Sequence, residues 1–414
     1  LVADARRPPP PGLRRREHAR GGWLPDVLVR CRRQDPDEKP LFARPRLSSD
    51  VREFSGALGD LGTLLPYLLG AVVVVGMPAV GVLFGFGLFM IAAGLFFAVP
   101  LAVQPMKAVG AAMVALPMTA GAVTASGLLI GFFFLLTSLT GILNWLARLI
   151  GPRVASGLQL GLALLLALSA LPLLKGAAVF GGVTLLALLL LMWRAPRLPA
   201  ALIVLPLATL LFWAFQGFPE LPALSLTFAL PALQLPAGDA WLEGLLQGAL
   251  PQIPLTLANA IIVTAALARR YYPNELHPVS ERKLGISTGL GNLLTAPFGA
   301  MPMCHGAGGL AAQHRLGARS GTAPVALGLL LLACGLLLGE QSAVMLQSIP
   351  EAVLGALLLL AAFELARASN AQQLRGQPLL VLLATAAVAL VGQLAIALLA
   401  GLLLDRLFCK EKLS

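Results

Sequence analysis

Two short segments place unusual residues inside otherwise continuous apolar runs. The first is Pro100-Leu101-Ala102-Val103-Gln104-Pro105-Met106-Lys107-Ala108-Val109-Gly110, and the second is Ala300-Met301-Pro302-Met303-Cys304-His305-Gly306-Ala307-Gly308-Gly309. Each sets Pro-Met just before a stretch of small residues, and each follows a break: Pro100 in one, Pro297 and Gly299 in the other. Proline lacks a backbone donor, so it suits the first turn of a helix and not its interior. The pattern predicts an extended piece followed by a half-helix in both places. A half-helix start exposes unpaired N–H groups and a partial positive charge. Two such starts facing each other make an anion site. Lys107 adds a full charge to the first, and His305 opens the second. Gly306, Gly308 and Gly309 allow close approach of the backbone. Gln104, Met106, Ala108, Met303, Cys304 and Gly306 complete the expected lining. The chemistry is recognition of a small oxyanion, held mostly by backbone donors.

Further polar residues stand out against an apolar background. Asp60, between Gly59 and Gly62, is either a packing or capping residue, a partner for Lys107, or a proton carrier. Thr63 follows it. Gln252 and Asn259 are seven apart in the eighth span, about two helical turns, hence on one face; they either line the site or bridge helices. Lys107 either has a substrate or coupling role, or snorkels or pairs with a carboxylate as structure only, and an ionisable group in mid-span is by default functional. His305 is either a substrate donor or a hydrogen-bonded structural histidine, and it titrates near neutral pH. Glu364 and Arg367, three apart, read as an interfacial ion pair. Cys31, Cys304, Cys334 and Cys409 are far apart, which predicts no disulfide framework, no structural zinc and no other cofactor. Paired carboxylates, metal clusters and nucleophile constellations are missing, which argues against an enzyme.

The elements that must carry these residues follow from composition. Of the 414 residues 58% are hydrophobic and 12% charged, and the mean hydropathy is +0.84. An ordinary soluble domain carries about 25% charged residues. The apolar runs predict about fourteen spans of an all-α polytopic membrane protein. They fall near 55–75, 80–98, 105–117, 119–142, 154–172, 177–193, 198–215, 243–268, 285–298, 303–313, 321–339, 349–366, 377–390 and 392–407. Several are short. Residues 1–48 carry twelve Lys/Arg against six Asp/Glu and no apolar signal segment; they read as a disordered cytosolic tail. Basic residues favour the cytoplasm. With the tail inside, the basic loops fall inside and the outer loops carry Glu220, Asp239, Glu340 and a single base, Lys175. Both termini are therefore expected in the cytoplasm. Nucleic-acid binding is excluded, because the basic residues outside the tail sit between spans.

The expected domains are 49–215 and 243–408, joined by an extracytoplasmic connection at 216–242, with a short tail at 409–414. The interrupted spans are the third and the tenth and run in opposite directions. Paired broken spans in corresponding halves point to a transporter site at the midplane. Seven spans per half, an odd number, is what an inverted repeat requires.

At this point the motifs resemble a known family. Glu53-Phe54-Ser55-Gly56-Ala57-Leu58-Gly59-Asp60-Leu61-Gly62-Thr63-Leu64-Leu65-Pro66 resembles the opening span of the molybdate transporter family, which is related to the SulP sulfate permeases. Val103–Ala108 and Gly299–Ala311 resemble two further signatures, Gln252–Ala260 resembles its eighth span, and Gly317-Ala318-Arg319-Ser320-Gly321 follows as in the family. The resemblance covers roughly 50–407. It implies a 7+7 inverted repeat with core and gate domains, and transport of molybdate or sulfate. The chain ends at Ser414 without the STAS domain of sulfate permeases, which favours molybdate. The expectation is a secondary active transporter in a plasma (inner) membrane, working by alternating access with proton coupling through Asp60 or His305. The bilayer and the anion are its partners, with a homodimer as a further one. The alternatives are a sulfate permease of the same fold and a nucleobase–proton symporter. The symporter usually needs carboxylates in spans eight and ten, where this chain has Gln252, Asn259 and His305.

Overall fold

A computed structural model describes residues 47–408, apart from 60, 117, 144, 147–151, 196–197, 221–225, 274–278, 340 and 370–375. The expected tails 1–48 and 409–414 lie almost wholly outside the described residues, as do Asp60, Cys31 and Cys409. In chain order the elements are α1 (Val51–Leu58), α2 (Leu61–Leu69), α3 (Ala79–Phe97), β1 (Val103–Pro105), α4 (Lys107–Ala115), α5 (Ala120–Leu139), α6 (Pro152–Leu174), α7 (Ala178–Arg194) and α8 (Ala200–Gln216). The second half contains α9 (Ala240–Tyr271), α10 (Glu281–Thr295), β2 (Met303–His305), α11 (Ala307–Arg315), α12 (Thr322–Leu338), α13 (Gln341–Gln347), α14 (Glu351–Ala368), α15 (Gln377–Leu390) and α16 (Leu394–Phe408). Helices dominate because an apolar chain in a bilayer must satisfy its backbone internally.

The expected spans overlap these elements throughout. By length and composition, four helices among the described residues can each cross a membrane: Ala79–Phe97, Ala120–Leu139, Arg153–Arg194 and Ala240–Tyr271. Six can if each bent pair counts as one span. The rest are shorter or broken. The sequence did not announce two π-helical stretches in α9, Gly244–Ala249 and Thr256–Val263. Nor did it announce α13.

Local sequence sets the helix starts. Asp50 accepts from the Arg52 N–H at the head of α1, Thr119 from the Ala122 N–H at the head of α5, and Ser280 from the Lys283 N–H at the head of α10. Each is an N-cap that satisfies an orphan donor. Thr119 is fixed in turn by Glu243, which accepts from both its N–H and its hydroxyl.

Two packed groups emerge. In one, α3 lies along α12 and α5 along α10, with α9 against α5. In the other, α6 packs on α14 and α15, α14 on α7, and α15 on α16. Small residues let the first group close tightly. A Cβ at Gly87 would meet the Gly328 carbonyl at 2.7 Å, and one at Gly131 would meet the Gly289 carbonyl at 3.0 Å. Membrane helices approach closely through such residues. Two motifs from opposite halves also meet here. Glu53 Oε1 accepts from the Arg319 N–H at 2.9 Å, and a Cβ at Gly56 would collide with the Ala318 side-chain Cβ.

The connection after α8 is pinned rather than loose where it is described. The Thr227 and Ala229 N–H groups donate to the Leu337 and Leu336 carbonyls at the end of α12, and Gln234 N–H donates to the Pro297 carbonyl.

Candidate anion site at the strand crossing

β1 and β2 pair antiparallel, with Val103 opposite His305, Gln104 opposite Cys304 and Pro105 opposite Met303. The crossing is extended by Met106 N–H to the Pro302 carbonyl at 2.9 Å and Gly306 N–H to the Ala102 carbonyl at 3.3 Å. Each strand leads straight into a nine-residue helix, α4 or α11. The preceding breaks bend the chain into place. Ala98 ends α3 with φ 56, and Gly299 ends the turn after α10 with φ 82. Asn292 of α10 then acts as a third strand edge. Its side-chain oxygen accepts from the Met303 N–H at 2.8 Å, and its amide nitrogen donates to the Met303 carbonyl at 2.7 Å.

Side chains alternate across a strand, and this sorts the expected residues into two sets. Gln104 and Cys304 share one face. Gln104 Nε2 donates to Thr63 Oγ1 at 2.6 Å, which ties β1 to α2. The Gln104 amide rests on Gly306, where an added Cβ would meet its Oε1, Cδ and Cγ. His305 points to the other face. Its ring is fully buried, edge-on to Phe89 at 5.3 Å and Phe97 at 5.4 Å. Nδ1 lies 3.4 Å from the Ala102 carbonyl and Nε2 lies 3.0 Å from the Ser287 hydroxyl. A carbonyl only accepts, so Nδ1 carries the proton, and in the neutral ring Nε2 accepts from Ser287. The expected donor to substrate is thus engaged elsewhere. Met106 and Met303 are fully buried and contribute packing.

The two half-helix starts differ. At α4, Gln252 Oε1 accepts from the Ala108 N–H at 2.8 Å and the Val109 N–H at 3.3 Å, while its Nε2 donates to Thr256 Oγ1 at 2.8 Å. Gln252 therefore caps α4 from α9, and Ala108 takes part through its backbone. At α11, Gly306 is the N-cap and supplies no side chain. Among the described residues no side chain accepts from Ala307, Gly308 or Gly309. Gly308 is exposed, and a Cβ there would meet nothing within 4 Å. Lys107 is half-buried at the first position of α4 and, among the described residues, has no ion-pair partner.

Two expectations are corrected. Gln252 is buried while Asn259 is exposed, so they do not share a surface. The π turns over Thr256–Val263 bond i to i+5 and shift the angular register that seven residues would keep in a regular α-helix. Nor does Glu364 pair with Arg367. No ion pair of Glu364 is present among the described residues. Ser287, Asn292 and Glu53 were not anticipated. An Asn eleven residues before a strand gives no local signal.

Crossed strands that each launch a half-helix, inside two packed helix groups, define a helical integral-membrane transporter fold. The transmembrane domain of a cyanobacterium bicarbonate transporter, BicA, superposes with a TM-score of 0.65 at 19% identity, over 87% of this chain and all of that one. The murine anion transporter Slc26a9 in its inward-facing state superposes at 0.66 and 14% identity, over 95% of this chain and 76% of that one.

The chain belongs to the molybdate transporter family. The family model described as "Molybdate transporter of MFS superfamily" matches residues 52–166 and 244–365. Molybdate transporter 2 of Arabidopsis thaliana is 32% identical over 92% of this chain and 88% of its own length, and Molybdate transporter 1 of the same plant is 30% identical over 86% and 88%.

Proposed function

We propose that the protein imports a small tetrahedral oxyanion, molybdate before sulfate, by alternating access. One observation carries the reading: the α11 start, uncapped by a side chain among the described residues, and the half-buried Lys107, without an ion-pair partner among the described residues, stand beside one strand crossing. Backbone donors at a helix start and one fixed cation suit an oxyanion. The family's molybdate transporters favour molybdate within that class. The proposed substrate contacts are the backbone of Gly306–Gly309, Lys107, and the Gln104, Thr63 and Cys304 face. Asn259 is added as a flank, and Gln252 holds α4.

The proposed architecture is fourteen spans in a 7+7 inverted repeat. The group holding α3, α5, α10 and α12 is the core, and the group holding α6, α7, α14, α15 and α16 is the gate. Packing of α3 on α12 and of α5 on α10 supports this reading, since an inverted repeat exchanges one pair for the other. The antiparallel strands support it too. In the major facilitator superfamily named in the family description, the two halves are parallel repeats instead. The domain bounds 49–215, 216–242 and 243–408 follow, with both termini in the cytoplasm of a plasma membrane and a homodimer as the assembly.

Importing a dianion against an inside-negative potential costs about 4.6 kcal/mol per 100 mV. Proton symport is the simplest source. Titration calorimetry of the purified protein with molybdate, with sulfate and uracil as competitors, tests the substrate. Lys107→Ala should weaken molybdate binding at least tenfold, about 1.4 kcal/mol. Unchanged affinity would remove Lys107 from the site, and preferential binding of sulfate would reassign the substrate.

A further inference from the structure

β1 and β2 are three residues long each, and among the described residues they pair only with one another. A two-stranded ladder is marginal by itself, and a slip of one residue turns every side chain of a strand to the opposite face. In β2 such a slip would carry His305 out of the pocket between Phe89 and Phe97 and part Gly306 from the Gln104 amide that rests on it. The backbone donors of Gly306–Gly309 follow directly on β2, so they move with its register. Something beyond the ladder must hold that register.

Asn292 of α10 supplies it. A primary amide carries the donor and the acceptor of a peptide group. Oδ1 accepts from the Met303 N–H at 2.8 Å and Nδ2 donates to the Met303 carbonyl at 2.7 Å, the two-way exchange that a neighbouring antiparallel strand would make. The second Nδ2 hydrogen goes to the Thr288 carbonyl at 2.7 Å, one turn back on α10. The whole residue is buried. α10 in turn is seated without slack. A Cβ at Gly289 would meet the Leu135 backbone nitrogen of α5 at 2.6 Å, and one at Gly291 would meet the Phe89 ring of α3 at 2.6 Å. Helices that touch through glycine leave little room to slide. The amide of Asn292 therefore stands on a fixed base and holds one residue of β2 by both of its backbone groups.

We propose that Asn292 is a positioning residue that sets anion specificity: by pinning Met303 it fixes the backbone donors of Gly306–Gly309 in the places that suit molybdate and not sulfate. This deepens the proposed function and rests on it. The two anions carry the same charge, so a single lysine does not separate them. They differ in where their oxygen atoms lie, and donors read that difference only when the backbone carrying them is held to a fraction of an ångström. Asn292 does not touch the anion. It acts through Met303, three residues before Gly306. Leucine fills a similar volume and has neither polar group. Serine is too short to span to Met303, and in a helix its hydroxyl bonds back to the carbonyl four residues earlier, here Thr288.

The test measures calorimetric affinities for molybdate and for sulfate on the purified full chain, with the melting midpoint of each variant. Asn292→Leu and Asn292→Ser should each weaken molybdate binding about tenfold or more and leave sulfate within about threefold, so that the ratio of the two affinities collapses. His305→Phe is the control for mere loss of stability, because it disturbs the same strand without releasing Met303. It should lower the melting midpoint and keep the ratio. An unchanged ratio in a folded Asn292 variant overturns the assignment, and so does an equal loss of ratio in His305→Phe. Failure of both Asn292 variants to fold makes the residue a requirement of the fold and also overturns the specificity role. Wild type that binds neither anion overturns the transport reading itself. Wild type that prefers sulfate reassigns the substrate, and collapse of that preference in Asn292→Leu still supports the positioning role.

Discussion

Gln252 should be the side chain that holds the first half-helix in place, and its removal should be costly. It is 2% exposed and accepts from two buried backbone donors at the start of α4. Gln252→Leu keeps the bulk and deletes the acceptor. A buried donor left unsatisfied costs about 1–3 kcal/mol. The Ala108 bond at 2.8 Å counts in full. The Val109 bond at 3.3 Å lies past the usual range and counts for a fraction. Together they give about 1–4 kcal/mol, a loss that a thermal melt in detergent would register as a drop in midpoint. Gln252→Glu separates capping from charge. A carboxylate oxygen accepts from the same N–H groups and suits a helix start, so the melt should stay near wild type. The added negative charge beside a bound dianion should still weaken molybdate binding tenfold or more, from a repulsion of roughly 2 kcal/mol per unit charge at about 8 Å. A Gln252→Leu protein as stable as wild type would refute the cap. So would a Gln252→Glu protein as unstable as Gln252→Leu.

Gly306→Ala should drive a methyl group into the Gln104 amide and break its bond to Thr63, an overpacking cost of about 1–3 kcal/mol. Adding Gln104→Ala should restore the melting midpoint, and strictly additive losses in that double-mutant cycle would deny the contact. His305→Phe keeps a ring in the Phe89–Phe97 pocket but abandons Ser287 and the Ala102 carbonyl. It should lower the melting midpoint while leaving molybdate affinity within about threefold, and a tenfold loss of affinity would return His305 to the substrate.

The residues show which features a sequence can announce. Pro105 and Pro302 mark the end of an extended piece and the start of a helix through a local rule, because a proline ring fixes one torsion and lacks one donor. The strand–helix units were legible for that reason. The side to which His305 points was also available in principle, since a period of two puts Gln104 and Cys304 on one face and His305 on the other. The cap on α4 was not legible. Gln252 is 144 residues from Ala108, and nothing near either residue encodes the meeting. Asn259 was misplaced because a π turn leaves no local mark strong enough to predict it, yet it changes the angular position of every residue after it. Glu364 was read by the i, i+3 rule, which gives a few tenths of a kcal/mol on an exposed helix. The structure forms no such ion pair among the described residues.

The asymmetry of the two half-helices changes what kind of site the crossing makes. The sequence suggests two equivalent positive ends with an anion between them. In the fold, α4 and α11 are equal in length, but the α4 donors at Ala108 and Val109 are already committed to a side chain. Among the described residues no side chain accepts from the α11 donors at Ala307, Gly308 and Gly309, and Gly308 is exposed with open space beside it. The attraction is therefore divided between two kinds of group. In the proposed site α11 would offer backbone donors that fix where the oxygen atoms sit. α4 offers Lys107, a point charge on a flexible stem that tolerates anions of different radius. Discrimination between molybdate and sulfate, which share charge and shape and differ in size, then falls to the rigid end and to whatever packs over Gly308. In the proposed site Lys107 would attract both alike. The residues that tune selectivity should accordingly lie around Gly306–Gly309 and the Gln104 amide seated on them.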